Sequence, residues 1–270
     1  MTPEGIPGAE RDRLSRLFVD IASEAGIAVM DVYRSDFATR HKADRSPVSD
    51  ADERAEAIIL DRLARDLPGV PVLAEEAASR DGLGGGLGDL FLLVDPVDGT
   101  REFVQKKGDF TVNIALVSHG RPVAGCVFAP AREELFFGGA SAWAIDGFQP
   151  GGRVEASEAR RLATRDYPDA GLTAVTSSSH LDARTEAFLA GQTLAGTMAI
   201  GSSLKFCLVA SARADVYPRW GPTMEWDTAA GHAVLEAAGG CVLEPDGAPF
   251  LYGKDGFRNG PFIAWGRTPL

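Results

Sequence analysis

The chain has 270 residues, 45% of them apolar, with 31 glycines and 16 prolines. That allows a substantial core, as one large domain or two closely packed halves. A net charge of −11 excludes a general binder of nucleic-acid polymers, because no basic excess can replace phosphate counterions. It leaves room for a small anionic substrate where metal ions supply local positive charge. Three widely spaced cysteines, no CxxC pair and four histidines argue against zinc and for reduced, buried thiols in a cytoplasmic protein.

Residues 1–9 read as a loose tail, and Met1 to Arg16 is too polar and charged for a signal peptide. Leu14, Leu17, Phe18, Ile21, Ala25, Val29 and Val32 recur at helical spacing, predicting one amphipathic helix from Arg11 to Tyr33. His41 to Pro47 is a charged loop, and a second helix is expected from Ser49 to Asp66, stopped by Pro68-Gly69. Val70 to Ala74 reads as a short buried strand that delivers Glu75 and Glu76 at its end. Ala77 to Asp89, with its glycine-rich insert at 82–88, reads as a flexible surface connection. Leu90 to Val94 is an unbroken apolar run of buried-strand length, expected to stop at Asp95 because Pro96 cannot donate to a ladder.

After the turn Asp95-Pro96-Val97-Asp98-Gly99-Thr100, strands are expected over Phe110–Val117 and Val123–Phe128, with shorter ones at Leu135–Phe137 and Ala142–Ile145. They form an antiparallel meander. Gly151-Gly152 and the polar stretch to Asp169 divide the chain into a first half, 1–150, and a second, 151–270, of one compact unit. In the second half, strands are expected at Leu172–Thr176, near Thr197–Ile200 and at Asp215–Arg219. Helices are expected at Asp182–Ala190, after Gly201-Ser202-Ser203, and at Thr228–Ala238 with Gly239-Gly240 as its stop. Ala187 to Leu204 carries too many polar residues for a membrane span. The alternation of helices and strands predicts a layered α/β architecture.

The central turn offers carboxylates at Asp95 and Asp98, a carbonyl at Val97 and a hydroxyl at Thr100. Those are ligands for a hard cation such as Mg²⁺. Gly99 lets backbone approach a ligand, and free N–H groups after it suit a phosphate. The same residues also suit an ordinary polar turn. Asp52 fits a capping box begun by Ser49, Glu76 fits a solvated loop, and Asp227 fits a helix cap. Lys205 could equally be a solvated helix residue and His180 a loop or cap residue. The small residues Ala229, Ala230 and Gly231 would let the last helix approach another backbone closely.

Leu73-Ala-Glu-Glu76, Asp95-Pro-Val-Asp-Gly-Thr100 and Trp226-Asp-Thr-Ala-Ala-Gly231 resemble the three signatures of the inositol monophosphatase superfamily. At finer grain, Asp95 to Val117, Ser202 to Ala210, Tyr217 to Pro222, Trp226 to Ala233 and Ser46 to Asp52 resemble its CysQ-type 3′(2′),5′-bisphosphate nucleotidase branch. The resemblance spans roughly residues 40 to 240. It implies an α/β (α+β) fold, a layered αβαβα sandwich of the inositol monophosphatase and fructose-1,6-bisphosphatase type, and a metal-dependent, lithium-sensitive phosphomonoesterase. Carried over by position, Glu75, Asp95 and the Val97 carbonyl would hold one Mg²⁺. Asp95, Asp98 and Asp227 would hold a second, and Asp52 would bind a weaker third through water. Two ions about 4 Å apart stabilise the attacking and leaving oxygens of an in-line displacement.

Glu75, Thr100 and Asp98 would form the catalytic group, Thr100 with Glu75 orienting and deprotonating the attacking water. The substrate would lie against Val97, Asp98, Gly99, Thr100 and Asp227, with its nucleotide against His180, Ser202, Lys205 and Arg219. Lys205 and Arg219 physically suit a second, uncleaved phosphate. The implied reaction is hydrolysis of adenosine 3′,5′-bisphosphate, and of 3′-phosphoadenylyl sulfate, in sulfate assimilation. Inositol monophosphate or fructose 1,6-bisphosphate as substrate, or a silent phosphate or metal sensor, are the alternatives. Monomer or homodimer, and peripheral membrane association, stay open.

Overall fold

The computed structural model describes residues 5–35, 47–83, 86–155, 157–178 and 182–268. Two helices come first, α1 (Gly8–Arg34) and α2 (Pro47–Asp66). The second begins two residues ahead of Ser49, with Pro47 in the first turn, where its missing N–H is no loss. Asp52 therefore lies in the second turn, beyond the N3 position that a capping box requires. Strand β1 (Val72–Ala74) leads into α3 (Glu75–Asp81), so the first residues of the expected flexible connection are helical.

The central strand β2 (Leu90–Asp98) does not stop at Asp95. Its pairing with β3 (Thr111–Ser118) shifts between Asp95↔Asn113 and Asp98↔Thr111, so Pro96 and Val97 together face Val112 alone. Such a bulge needs no ladder bond from Pro96. On the other side, parallel pairing with β1 ends at Ala74↔Val94, so Pro96 meets no partner there either. Between these strands lies α4 (Thr100–Val104). The expected meander follows as β4 (Arg121–Ala129), β5 (Glu134–Gly138) and β6 (Ala142–Asp146), all antiparallel. The two-residue β7 (Arg160–Arg161) adds to β6, so this seven-stranded sheet extends beyond the Gly151-Gly152 pair.

The second half holds β8 (Leu172–Ser177), α5 (Ala183–Ala190), β9 (Leu194–Ile200), α6 (Leu204–Ala210), β10 (Val216–Arg219), β11 (Thr223–Met224) and α7 (Ala229–Ala237). It ends with β12 (Cys241–Leu243), β13 (Arg258–Asn259) and β14 (Phe262–Trp265). A five-stranded sheet runs in the order β12-β14-β10-β8-β9, parallel across β10, β8 and β9 and antiparallel through β14.

Period-two burial explains the layers. On β2 and β3, Leu92, Val94, Val112, Ile114 and Leu116 join the core under α1 and α2, whereas Phe91, Leu93, Ala115 and Val117 join the core around α6 and α7. In the second sheet Val175, Tyr217 and Phe262 face that same central core, and Ala174, Val216 and Ile263 face outward, with Phe188 and Leu189 of α5. The order is thus helix pair, sheet, helix pair, sheet, helix. Two-sided burial is why Leu90–Val94 in β2 reads as an apolar run rather than clean alternation. The stripe of small residues on α7 has a matching consequence: a Cβ on Gly125 would lie 2.7 Å from the Ala230 carbonyl oxygen, and one on Gly138 2.9 Å from Val234 Cα. This close seating lays α7, with Asp227 just before it, against β4 and β5 in the middle of the first sheet. Among the described cysteines Cys126 and Cys207 are free and buried, while Cys241 is only half-buried. No described helix is long and apolar enough to cross a membrane.

Candidate active site

The bulge determines the local geometry. Asp95, 1% exposed, accepts the Val97 N–H at 3.1 Å within it, and Asp98 emerges at its end, half-buried. Gly99 has φ 97° and caps α4. A Cβ there would stand 2.9 Å from the Asp109 carbonyl oxygen, so both conformation and space require glycine. Thr100 opens the helix on the exposed side.

Glu75 and Asp52 arrive from the flanking helices. Glu75 is the first residue of α3, whose start is pinned by Glu56: that buried carboxylate accepts the Glu76 N–H at 2.8 Å. Asp52, 5% exposed, projects from α2. Asp227 comes from the far half. It does not cap α7: its carboxylate accepts the Met224 N–H at 2.8 Å, and the cap position is Thr228.

These acids perturb one another. Burial, then the charges of Glu75, Asp98, Asp227 and Asp52, hold Asp95 well above the usual carboxylate range. Burial and Asp98 push Asp227 up to about 8, against the Met224 hydrogen bond. Burial and Asp98 likewise push Glu75 up to about 7, against a hydrogen bond with Asp95. Burial followed by Glu76 and Glu75 takes Asp52 to about 8. Asp98 is raised less freely, since Lys205 and hydrogen bonds from Ser203 and Asn113 oppose its desolvation. Among the described residues no three His, Cys, Asp or Glu side chains converge closely enough to hold a metal ion as they stand.

A cleft of about 1030 Å³ opens beside the acids, lined by Asp98, Gly99, Thr100, Ser202, Lys205, Arg219 and Asp227 among others. It therefore brings together residues predicted from both halves. Lys205 is 6% exposed and is no solvated helix residue. Its ammonium donates to the Ser202 carbonyl at 2.5 Å and faces the Tyr217 ring at 5.3 Å. Burial pushes it down to about 8, against the charge of Asp98. Arg219, 9% exposed, is aimed by bonds from Nε to the Gly221 carbonyl and Nη2 to the Pro222 carbonyl. Ser202 takes φ 52°, a left-handed backbone that a non-glycine residue adopts at a cost of about 1 kcal/mol or more. Val97 is buried behind the turn, and Glu75, Asp95 and Asp52 join the cleft's acids through their mutual electrostatics rather than by lining its wall. His180 lies outside the described residues.

Sequence reasoning missed four residues of the neighbourhood. Glu56 shares a helix face with Asp52 at the i,i+4 spacing, which was a readable signal. Asn113 is an amide inside an otherwise apolar strand, a second such signal. Glu102, buried and lining the cleft, accepts the Ser178 hydroxyl at 2.9 Å. Ser203 bonds to both halves at once and had no signature of its own.

Layered fold and acid-lined cleft with buried cations together suit a small anionic, metal-bound ligand. The model of the inositol monophosphatase family matches residues 10–266, and the chain belongs to that family. Its sequence is 41% identical to the 3′(2′),5′-bisphosphate nucleotidase CysQ of Escherichia coli K12, over 90% of this chain and 95% of that one. Identity to the CysQ of Salmonella typhimurium LT2 is 39%, with the same shares covered. The crystal structure of CysQ from Bacteroides thetaiotaomicron superposes with a TM-score of 0.80 at 36% identity, covering 94% of this chain and 97% of that one. The family match extends well beyond the span over which the sequence motifs are legible, taking in α1 and the C-terminal strands.

Proposed function

We propose that the chain is a Mg²⁺-dependent 3′(2′),5′-bisphosphate nucleotidase. It hydrolyses adenosine 3′,5′-bisphosphate to AMP and phosphate, and accepts 3′-phosphoadenylyl sulfate, in sulfate assimilation. The observation that carries this reading is the pair of buried cations, Lys205 and Arg219, in the wall of the same cleft as Asp98 and Asp227. A monoester with one phosphate leaves no anion for them, whereas a bisphosphate supplies one. The relatives named CysQ support the same choice.

The donor set fits hard divalent cations: oxygen ligands only, several of them buried carboxylates raised by desolvation and mutual repulsion. Glu75, Asp95 and the Val97 carbonyl would hold one Mg²⁺, and Asp95, Asp98 and Asp227 a second, with Asp52 serving a third through water. When bound, the ions supply the positive charge that stabilises developing negative charge on the phosphoryl group and leaving oxygen. Thr100 and Glu75 orient the attacking water, and Glu75 takes its proton. The backbone N–H groups of Gly99 and Thr100 hold the scissile phosphate, as the left-handed conformation of Gly99 at the start of α4 permits. Lys205 and Arg219 hold the phosphate that is not cleaved, with Ser202 and His180 beside the nucleoside.

Phosphate release from adenosine 3′,5′-bisphosphate, inositol 1-phosphate and fructose 1,6-bisphosphate at equal concentration, with Mg²⁺, tests the proposal. A preference for the nucleotide of about a hundredfold, near the 2.7 kcal/mol that one well-placed charged contact supplies, is the expected result. Equal rates on all three would remove the nucleotide assignment, and no release from any would leave a phosphate or metal sensor.

A further inference from the structure

Segment Gly201–Ser203 is one place where the second half is fastened to the first. A Cβ on Gly201 would lie 2.7 Å from the Asp109 carbonyl oxygen and 2.8 Å from Glu102 Cγ. Two residues on, Ser203 is 1% exposed and makes three bonds that cross between halves or elements. Its N–H donates to Asp98 Oδ2 at 2.6 Å, and its hydroxyl donates to the Asp227 carbonyl at 2.7 Å. The Asn113 side-chain N–H donates to the Ser203 hydroxyl at 3.0 Å. Asn113 sits on β3 opposite Asp95, and its Oδ1 is buried without a partner.

We propose that Ser203, held by Asn113, is a positioning residue that fixes the distance between Asp98 and Asp227 and couples it to the segment carrying Ser202 and Lys205. The inference rests on the metal-ligand reading of Asp98 and Asp227. Among the described residues, the Ser203 hydroxyl is the side-chain group that ties a β3 amide of the first half to the Asp227 backbone of the second. Removing it leaves the backbone bond to Asp98 and the Met224 bond to the Asp227 carboxylate, but releases the Asp227 backbone from its tie to the first half. Partners that orient metal ligands typically change metal affinity by about ten- to hundredfold when removed.

The test is Ser203→Ala, with Asn113→Ala as a second variant that removes the group holding Ser203 together with its own 3.5 Å bond to Asp98. Metal affinity of the substrate-free protein is read by Mn²⁺ titration with electron paramagnetic resonance, alongside melting temperature, kcat and KM. Ser203→Ala should weaken the looser Mn²⁺ about tenfold or more, lower kcat at limiting Mg²⁺ and recover most of it at high Mg²⁺. KM for the bisphosphate at saturating Mg²⁺ should stay within threefold. The double variant should lose less than the sum of the two single ones, since both variants break the Asn113–Ser203 bond. A lower melting temperature with unchanged Mn²⁺ affinity in both single variants would make the cluster merely structural and overturn the proposal. If Ser203→Ala does not fold, the Asn113→Ala titration decides alone. A wild-type protein that binds no Mn²⁺ would instead sink the metal reading on which this one depends.

Discussion

The buried acids make a prediction about the metal-free protein that can be worked through with its sign. Asp52 and Asp227 are pushed up to about 8 and Glu75 to about 7, whereas in an unfolded chain such groups titrate near 4. Between those limits the folded chain holds protons that the unfolded chain has released. The associated stability is fully present below about pH 4 and is lost as pH rises toward the folded values. Each excess proton contributes a slope of about 1.4 kcal/mol per pH unit. Because the acids are coupled, one net proton is the safe number for the cluster, giving a loss of about 3 kcal/mol between pH 5.5 and 7.5. For a chain of this size that lowers the melting temperature by about 6–12 °C.

The assay is calorimetry in chelator and in saturating Mg²⁺ across that range. Bound cations take over the role of the protons, so the Mg²⁺ profile should be flatter and the gain from Mg²⁺ larger at pH 7.5 than at 5.5. Asp95→Asn, which keeps the shape and cannot ionise, should reduce the slope in chelator. A metal-free melting temperature that is flat or rises from pH 5.5 to 7.5, or equal slopes for wild type and Asp95→Asn, would refute the reasoning.

Other outcomes follow from single contacts. Glu75→Ala should reduce kcat at least a hundredfold with the fold intact by circular dichroism; unchanged turnover would remove Glu75 from the mechanism. Lys205→Met should impair hydrolysis of the nucleotide bisphosphate at least tenfold more than any residual hydrolysis of inositol 1-phosphate, and equal losses would place Lys205 outside substrate discrimination. Gly125→Ala forces a methyl to 2.7 Å from the Ala230 carbonyl oxygen and should destabilise by about 1–3 kcal/mol. Gly196→Ala, which meets nothing within 4 Å, is the control, and similar melting temperatures for the two variants would contradict the close seating of α7. Gly99→Ala meets both a φ of 97° and the Asp109 carbonyl oxygen; activity falling more than tenfold is expected, and full activity would show that the turn can relax.

What was legible in the sequence was whatever local periodicity and turn chemistry dictate. The long first helix, the meander from β3 to β6 and the glycine-bearing turn after Asp98 all follow from side-chain spacing, and so do the acids that end or begin elements. Pro96 misled about the end of β2, because a ladder can step around a proline by bulging, and whether it does depends on the neighbouring strand. The expected flexible connection after Glu76 proved partly helical because Glu56, twenty residues earlier, receives the Glu76 N–H. The strands Cys241–Leu243 and Phe262–Trp265 went unread because their identity lies in pairing with each other and with β10.

The sequence by itself therefore determined which oxygen and cationic side chains are on offer and which backbone freedom the turn possesses. Only the tertiary structure decided that Asp98 and Asp227, far apart along the chain, share one cleft, and that Lys205 is buried beside them. The reason is physical. Ligand type belongs to individual side chains, but distance, desolvation and mutual charge arise only when Gly125 lets α7 lie against the sheet and Ser203 locks the two halves together.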